Sequence, residues 1–507
     1  MADSEIRNWL IKPLLLSSTA IVISNDVSAR VKQQAQSARR LWGDLVQICD
    51  GADDQAEINA AINALPATGG TVILSEGTYS ISAPIVLVKN CALRGVGGGK
   101  AVQITLANNS DCNMIYFQQT DATSSFIYVG YLLLLGNKAN QASGHGILFE
   151  WDGANVLKDF EIERVYVNAC KEDGIKVDHG WGGHIHGCNS ESNDGYAYYT
   201  HGNQIYVHDC YGSNSNDGFY VASNDQFYNN CYALGCTRHG FQVLSSNNSK
   251  FSNIKVYDPG TDGMNLNGDH MLFSNIEVHG DGGDAFDLND VNYSQFIGGV
   301  IQAISGTWQN GFNIRSGSSH CTVSGFNFAG CTIGILVAAG TSYNHISNNL
   351  FDPASVPTPL SDAGTITSIR DDNQGITPME VKHYAYAKNT SGGALAAGDV
   401  VRIKAGVASG EEVTTTVILG DDMVYGMAAE AIDNNAWGHI LVKGKTTVLQ
   451  ASNDNGNIAI GDPLCASATA KEANLATAGT MGFAIALEAC AVAGPVALDA
   501  YIKSPWI

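Results

Sequence analysis

Through the middle of this chain a glycine followed by a short run of alternating apolar residues recurs every 21 to 28 residues, at Gly146, Gly174, Gly195, Gly218, Gly240, Gly263, Gly311 and Gly334, with Ala285 filling the slot between the last Gly pair but one. A repeat of that length holds three short strands and three corners, which is one turn of a β-solenoid. Alternation inside each repeat is the period of a strand, so stacked helical repeats are excluded.

The alternation assigns the faces. The first residue after each slot (Ile147, Ile175, Tyr196, Phe219, Phe241, Met264, Phe286, Phe312, Ile335) and the third (Phe149, Val177, Tyr198, Val221, Val243, Leu266, Leu288, Ile314, Val337) are all apolar or aromatic and are expected to point inward. Coils stack ~4.8 Å apart, so these columns become ladders. Each buried side chain is worth roughly 1.5–3 kcal/mol. The second positions (Lys176, Ala197, Tyr220, Gln242, Asn265, Asp287 among them) and the fourth (Glu150, Asp178, Tyr199, Asn267 among them) are expected to form one outward, mostly polar strip.

Ahead of the repeats, Asp54 and Glu57 have the spacing of a capping box for a helix whose apolar stripe is Ile58, Ala61, Ile62 and Leu65. Pro66 and Gly69-Gly70 stop it, and strands are expected at Thr71–Leu74, Thr78–Ile81 and Ile85–Val88. The string DGADDQAEINAAINALPATGGTVILSEGTYSIS…IVLVKNCALRGVG (Asp50 to Gly97) resembles the N-terminal cap and first coils of pectate-lyase-like β-helix proteins. The resemblance implies a right-handed parallel β-helix of roughly ten to twelve coils, plugged by a short helix. It implies fold far more than activity, because lyases, hydrolases, epimerases and phage spikes share it.

Four segments are expected. Residues 1–48 read as a partly helical docking segment, with a helix from about Ala29 to Leu45; the apolar run Leu14–Ile23 is too short to span a bilayer. Residues 49–351 read as the β-helix, and 352–379, with Pro353, Pro357, Pro359 and Pro378, as a linker. Residues 380–507 read as a small all-β barrel or sandwich, with strands at Gly398–Ile403, Val424–Ala428, Gly438–Val442, Gly461–Leu464 and Gly482–Glu488. That series is similar to small β-domains of phage decoration and tail proteins.

Charge narrows the partners. The formal net charge is −22, which argues against nucleic acid, whose phosphates need Lys and Arg. The 12 Cys show no metal-ligand spacing and read as buried free thiols. No cofactor is expected beyond Ca²⁺ on a stacked row of turn carboxylates, Asp173, Asp194, Asp217, Asp262 and Asp284, whose alternative role is to cap turn N–H groups. The segments Thr261-Asp262-Gly263 and Gly282-Gly283-Asp284 resemble part of a polygalacturonase pattern, but Gly283 stands where one paired acid belongs.

On a β-helix an extended sugar chain matches an outward strand face. The outward groups suited to its chemistry are Asp178, Glu150, Asp287 and Lys176, as acids, base or carboxylate partner. Tyr199, Tyr220, His201, Gln242, Asn265 and Asn267 are the expected glycan contacts, with His179, His184, His186 and His208 clustered nearby. Together the readings point to a phage virion spike or fibre, trimeric by resemblance, that binds a host surface polysaccharide and other virion proteins, with no membrane partner. The alternatives are a secreted, extracellular polysaccharide lyase or hydrolase, and a non-enzymatic decoration protein.

Overall fold

The computed structural model describes residues 18–98, 100–120, 126–154, 157–370, 372–376, 382–404, 412–415, 423–453, 456–460, 462–467, 470–476, 482–490 and 496–503. The chain forms two units, one running to Phe312 and including Gly330–Thr332, the other made of Asn313–Ala329 and residues from Ile333 onward.

The first unit is a parallel β-solenoid. On the face carrying the outward strip, Ile115–Gln119, Ile147–Trp151, Ile175–Trp181, Tyr198–Asn203, Phe219–Ala222, Phe241–Leu244 and Met264–Asp269 pair in parallel, each with the next. A second face pairs Ile127–Gly130, Phe160–Glu163, His184–His186, Tyr206–His208 and Phe227–Asn229. A third pairs Leu133–Leu135, Tyr166–Asn168, Asn189–Glu191, Tyr211–Ser213 and Tyr232–Leu234.

Inside, the apolar columns stack ring on ring. Tyr198, Phe219 and Phe241 lie 4.7 and 4.4 Å apart, within 13° of parallel. Tyr228, Phe251, Phe273 and Phe296 continue a second stack at 5.3, 4.6 and 4.8 Å. The stacks meet edge to face, Phe241 against Phe251 at 89°, a preferred aromatic arrangement. The corners use Asn and Asp: Asp209, Asn230, Asn253 and Asn275 all have φ of 52–55°, one per coil, a conformation these residues tolerate. Asn275 Nδ2 donates to Asn253 Oδ1 at 2.8 Å, so the corners also form a ladder.

One coil departs from the expected register. Tyr198, not Tyr196, pairs with Ile175 and Phe219, and Tyr199 pairs with Lys176 and Tyr220. Ala197 therefore takes the glycine slot, and Tyr199 belongs to the second outward column, where Ala197 was expected. The third inward position is Thr200, fully buried, its hydroxyl 2.5 Å from the Tyr228 hydroxyl. The inward columns are thus not purely apolar. Thr200→Val would leave the Tyr228 hydroxyl buried without that partner, and should cost about 1–3 kcal/mol, seen as a lower thermal midpoint with an unchanged circular dichroism spectrum.

The solenoid begins earlier and ends later than its expected bounds of 49 and 351. Thr19–Ile23 pairs in parallel with Val46–Ile48 and with the strand Gly70–Leu74, so this part of the expected docking segment is the first rung. Residues 1–17 of that segment lie outside the described residues. The helix Ala29–Trp42, capped at Ser28, lies in sequence between Thr19–Ile23 and Val46–Ile48. The capping helix is Gln55–Asn63. Asp54 does not cap it: its carboxylate accepts from Gly51 N and Ser80 N at 2.9 and 2.8 Å, tying the helix to a strand.

In the second unit the expected linker carries two more solenoid strands. Thr358–Asp362 pairs with Cys331–Val337, and Ser368–Ile369 with His345–Ser347. Pro359 is tolerated because this is the final rung, where one strand edge needs no partner. Pro378 lies outside the described residues. Beyond it is a mostly antiparallel sheet containing Val400–Ile403, Val424–Ala428, Trp437–Ala451, Pro463–Ala466 and Ala484–Ala486, built around Val424, Leu441, Leu464, Phe483 and Ile502. All 12 cysteines are free thiols. No helix among the described residues is long and apolar enough to cross a membrane.

Candidate functional site

The outward strip is interrupted by a β-bulge. Val177 pairs with Thr200, but the next pair is Gly180 with Gly202, so Asp178 and His179 together face His201. Bulges re-aim side chains and are common beside active sites. The extra residue is accommodated by His179 at φ 59° and by Gly202 at φ 138°. A Cβ on Gly202 would meet the Gly180 carbonyl at 1.9 Å, so only glycine fits there.

The bulge gathers three groups. Asp178 Oδ1 lies 2.8 Å from His179 Nδ1 and 2.7 Å from His201 Nδ1. Trp151, from the preceding coil, stacks on the His179 ring at 3.8 Å. With Nδ1 turned to a carboxylate, an imidazole presents Nε2 as its free nitrogen. Burial first, and then the neighbouring His201, hold the His179 pKa below its usual value. One strand position away, Lys176 Nζ sits 5.0 Å over the Tyr199 ring. Burial, with Asp178 beside it, raises the Tyr199 pKa, so the phenol stays a proton donor at neutral pH.

The expected residues divide accordingly. Asp178, Lys176, Tyr199 and His201 come together at the bulge. Glu150 lies one coil before Asp178, its carboxylate held by the Tyr116 hydroxyl at 2.5 Å. Asp287 is on the strip several coils away, 3% exposed, with Asn265 Nδ2 3.3 Å from its carboxylate. Its expected exposure is lost to burial. Tyr220, Gln242 and Asn265 continue the second outward column in register, and Asn267 donates to the Asn289 carbonyl. Tyr199 does not offer a free face. Tyr199 and Tyr220 stack on each other at 5.1 Å and 8°, with Lys176 over the other side of Tyr199. With its faces taken, Tyr199 suits hydrogen bonding to a sugar through its hydroxyl more than stacking on it. The histidine cluster splits: His184, His186 and His208 belong to the second face. His179 and Trp151 had no periodic signal in the sequence and enter the site only through the bulge.

The turn carboxylates act between coils. Asp173, Tyr196, Asp217, His239, Asp262 and Asp284 occupy the position before the slot in six successive coils. Asp173 accepts from Tyr196 N at 2.8 Å, Asp217 from His239 N at 2.9 Å and Asp262 from Asp284 N at 2.9 Å. Asp194 is off this ladder, paired with Lys171 and Lys138 at 2.8 and 3.0 Å. Between Asp217 and Asp262 the His239 ring is clamped, 3.1 Å from one carboxylate and 3.4 Å from the other. Burial works against its charge, but the two carboxylates outweigh it and push its pKa up to about 9. The unfolded value is near 6.5, so the clamp's contribution is fully present below about pH 6.5 and is lost as pH rises through about 9. That contribution is on the order of 3 kcal/mol, at ~1.4 kcal/mol per pKa unit. Thermal midpoints at about pH 6 and about pH 10 should therefore differ less in His239→Asn than in the unaltered protein.

Three groups of side chains among the described residues bring potential ligand atoms within 4.8 Å of one another: Asp178, His179 and His201; Glu161, Glu163 and His186; Cys49, Asp54 and Glu57. In the third, Asp54 is committed to backbone N–H groups, and burial, ahead of nearby acids, raises the Cys49 thiol pKa, so it stays protonated.

Residues 49–265 match the family described as rhamnogalacturonase A/epimerase, pectate lyase-like, and residues 239–358 match the right handed beta helix region. No curated protein matches the chain. Among solved structures, DFA-IIIase from Arthrobacter chlorophenolicus A6 in complex with GF2 aligns at TM-score 0.50 and 10% identity, covering 69% of this chain and 99% of that one. The A-module of Azotobacter vinelandii mannuronan C-5 epimerase AlgE6 aligns at TM-score 0.48 and 19% identity, covering 65% and 97%. The pre-mature gene product 12 of bacteriophage phi29 aligns at TM-score 0.48 and 10% identity, covering 94% and 100%. The DFA-IIIase likeness is one of fold.

Proposed function

From a chain whose middle is a pectate-lyase-like, right-handed parallel β-helix, we propose a virion spike or fibre protein that binds a surface polysaccharide along the outward strip and cleaves it at the bulge by β-elimination. The observation that carries the chemistry is the convergence of His201 and His179 on Asp178, beside Lys176 and Tyr199. Elimination needs a base for the C5 proton of a uronate, a cation against its carboxylate and an acid for the leaving oxygen. His201 Nε2, with Nδ1 held by Asp178, takes the proton. Lys176 faces the carboxylate. The electron pair from C5–H forms the C4–C5 double bond, the C4–O bond breaks, and the Tyr199 hydroxyl protonates the departing oxygen. Water then restores the Tyr199 proton and takes the one on His201.

Hydrolysis by a carboxylate pair is less well supported. Glu150 and Asp178 are one ~4.8 Å coil apart, near the spacing of a retaining pair, but one is bound by a phenol and the other by two imidazoles. The virion setting rests on the resemblance of the C-terminal strand series to phage β-domains, and with it goes the expectation of a parallel homotrimer. The test is incubation of the purified full chain with a panel of bacterial surface polysaccharides, following both chain shortening and the absorbance of unsaturated uronate ends. Shortening with new absorbance is expected. Shortening without it would replace elimination by hydrolysis, and binding without shortening would leave a receptor-binding spike.

A further inference from the structure

The second face of the solenoid carries a compact cluster that the strip does not use. Glu161 and Glu163, two residues apart on the strand Phe160–Glu163, project to the same side. The next coil sets His184 beside Glu161 and His186 beside Glu163. His186 Nε2 lies 2.9 Å from Glu161 Oε1, across the diagonal. The three side chains Glu161, Glu163 and His186 each bring one ligand atom within 4.8 Å of the others.

Two observations from outside this trio bear on what it holds. Both Glu163 oxygens are oriented by phenols of other strands and turns, Tyr128 at 2.6 Å on Oε2 and Tyr131 at 2.8 Å on Oε1. Outer donors of this kind set the orientation of metal-ligating groups. The His186 ring is also fixed, stacked on His208 at 4.9 Å and 7°. Arg164 Nε is 3.8 Å from Glu163 and mostly exposed, a weak surface pair.

We propose that Glu161, Glu163 and His186 bind a divalent transition cation of the zinc type, bracing two adjacent coils on this face. Two carboxylate oxygens with one imidazole nitrogen suit zinc or a similar first-row ion. Calcium and magnesium prefer shells of oxygen alone.

Isothermal titration of the metal-free full chain with Zn²⁺, and separately with Ca²⁺, tests this. One Zn²⁺ per chain is expected, with no comparable Ca²⁺ binding. Glu163→Gln and His186→Asn should each weaken Zn²⁺ binding at least ~100-fold, and Tyr131→Phe by ~10-fold, since loss of an outer donor typically costs 10–100-fold. His201→Asn should leave it unchanged. Equal affinity for Ca²⁺, no Zn²⁺ binding, or binding lost with His201→Asn but kept with Glu163→Gln would each overturn the assignment. The last outcome would move the metal to the bulge on the strip.

Discussion

Replacing His201 with alanine is expected to lower the rate of polysaccharide cleavage by about 10²–10⁴, the usual worth of a positioned general base, while polysaccharide binding stays within a few-fold. His201 is partly exposed on the strip and supports no inward column, so the coil should survive the change. Asp178→Asn should cost activity as well, because Asp178 holds Nδ1 and thereby sets which ring nitrogen is free. Glu150→Gln is the discriminating control. In the elimination reading Glu150 touches none of the reacting atoms, so its loss should be mild. If it is as damaging as His201→Ala, a pair of carboxylates performs the chemistry and the His201 assignment fails. Rates on one cleaved polysaccharide, with binding measured in parallel, decide between them.

The largest structural effect is expected from Phe241→Asp, which should yield no soluble folded protein. The ring is fully buried, stacked on Phe219 at 4.4 Å and set edge-on to Tyr228 and Phe251. Loss of the ring alone costs about 3–5 kcal/mol. An unpaired carboxylate in its place adds several more, against a total stability of roughly 5–15 kcal/mol for a domain. Each coil contacts only its neighbours, so a failed rung divides the ladder and leaves open strand edges that invite aggregation. Phe241→Leu keeps an apolar side chain and should fold with a lowered thermal midpoint. Soluble Phe241→Asp with a native circular dichroism spectrum would mean that the inward column has been misplaced.

Legibility in the sequence varied from coil to coil. Where one aromatic residue follows the glycine, as at Phe219, Phe241 and Phe312, the register follows directly. The stretch Gly195-Tyr196-Ala197-Tyr198-Tyr199-Thr200 offers two starting points that differ by two residues. A shift of two keeps every side chain on the same face of a strand, so alternation cannot choose between them. Packing chooses: Tyr198 continues the ring stack with Phe219 at 4.7 Å and 4°. The end of the solenoid was hidden for a related reason. Prolines near 353–359 read as a linker, yet a final rung has a free edge and tolerates them.

The sequence by itself determined the parallel solenoid, its capping helix, the short-stranded β region toward the C-terminal end and the place of Asp178, Lys176 and Tyr199 on an outward strip. These depend on repeat length and on alternation, which are properties of short stretches of chain. Only the tertiary structure decided that His179 joins His201 on Asp178, that His186 faces Glu161 and Glu163 on another side, and that Asp287 is buried. Each of those depends on how one coil lies on the next. A single inserted residue at the bulge changes what faces what without altering the local pattern. Proximity between residues about 23 positions apart is set by stacking of coils, and stacking is read from the register of the whole ladder.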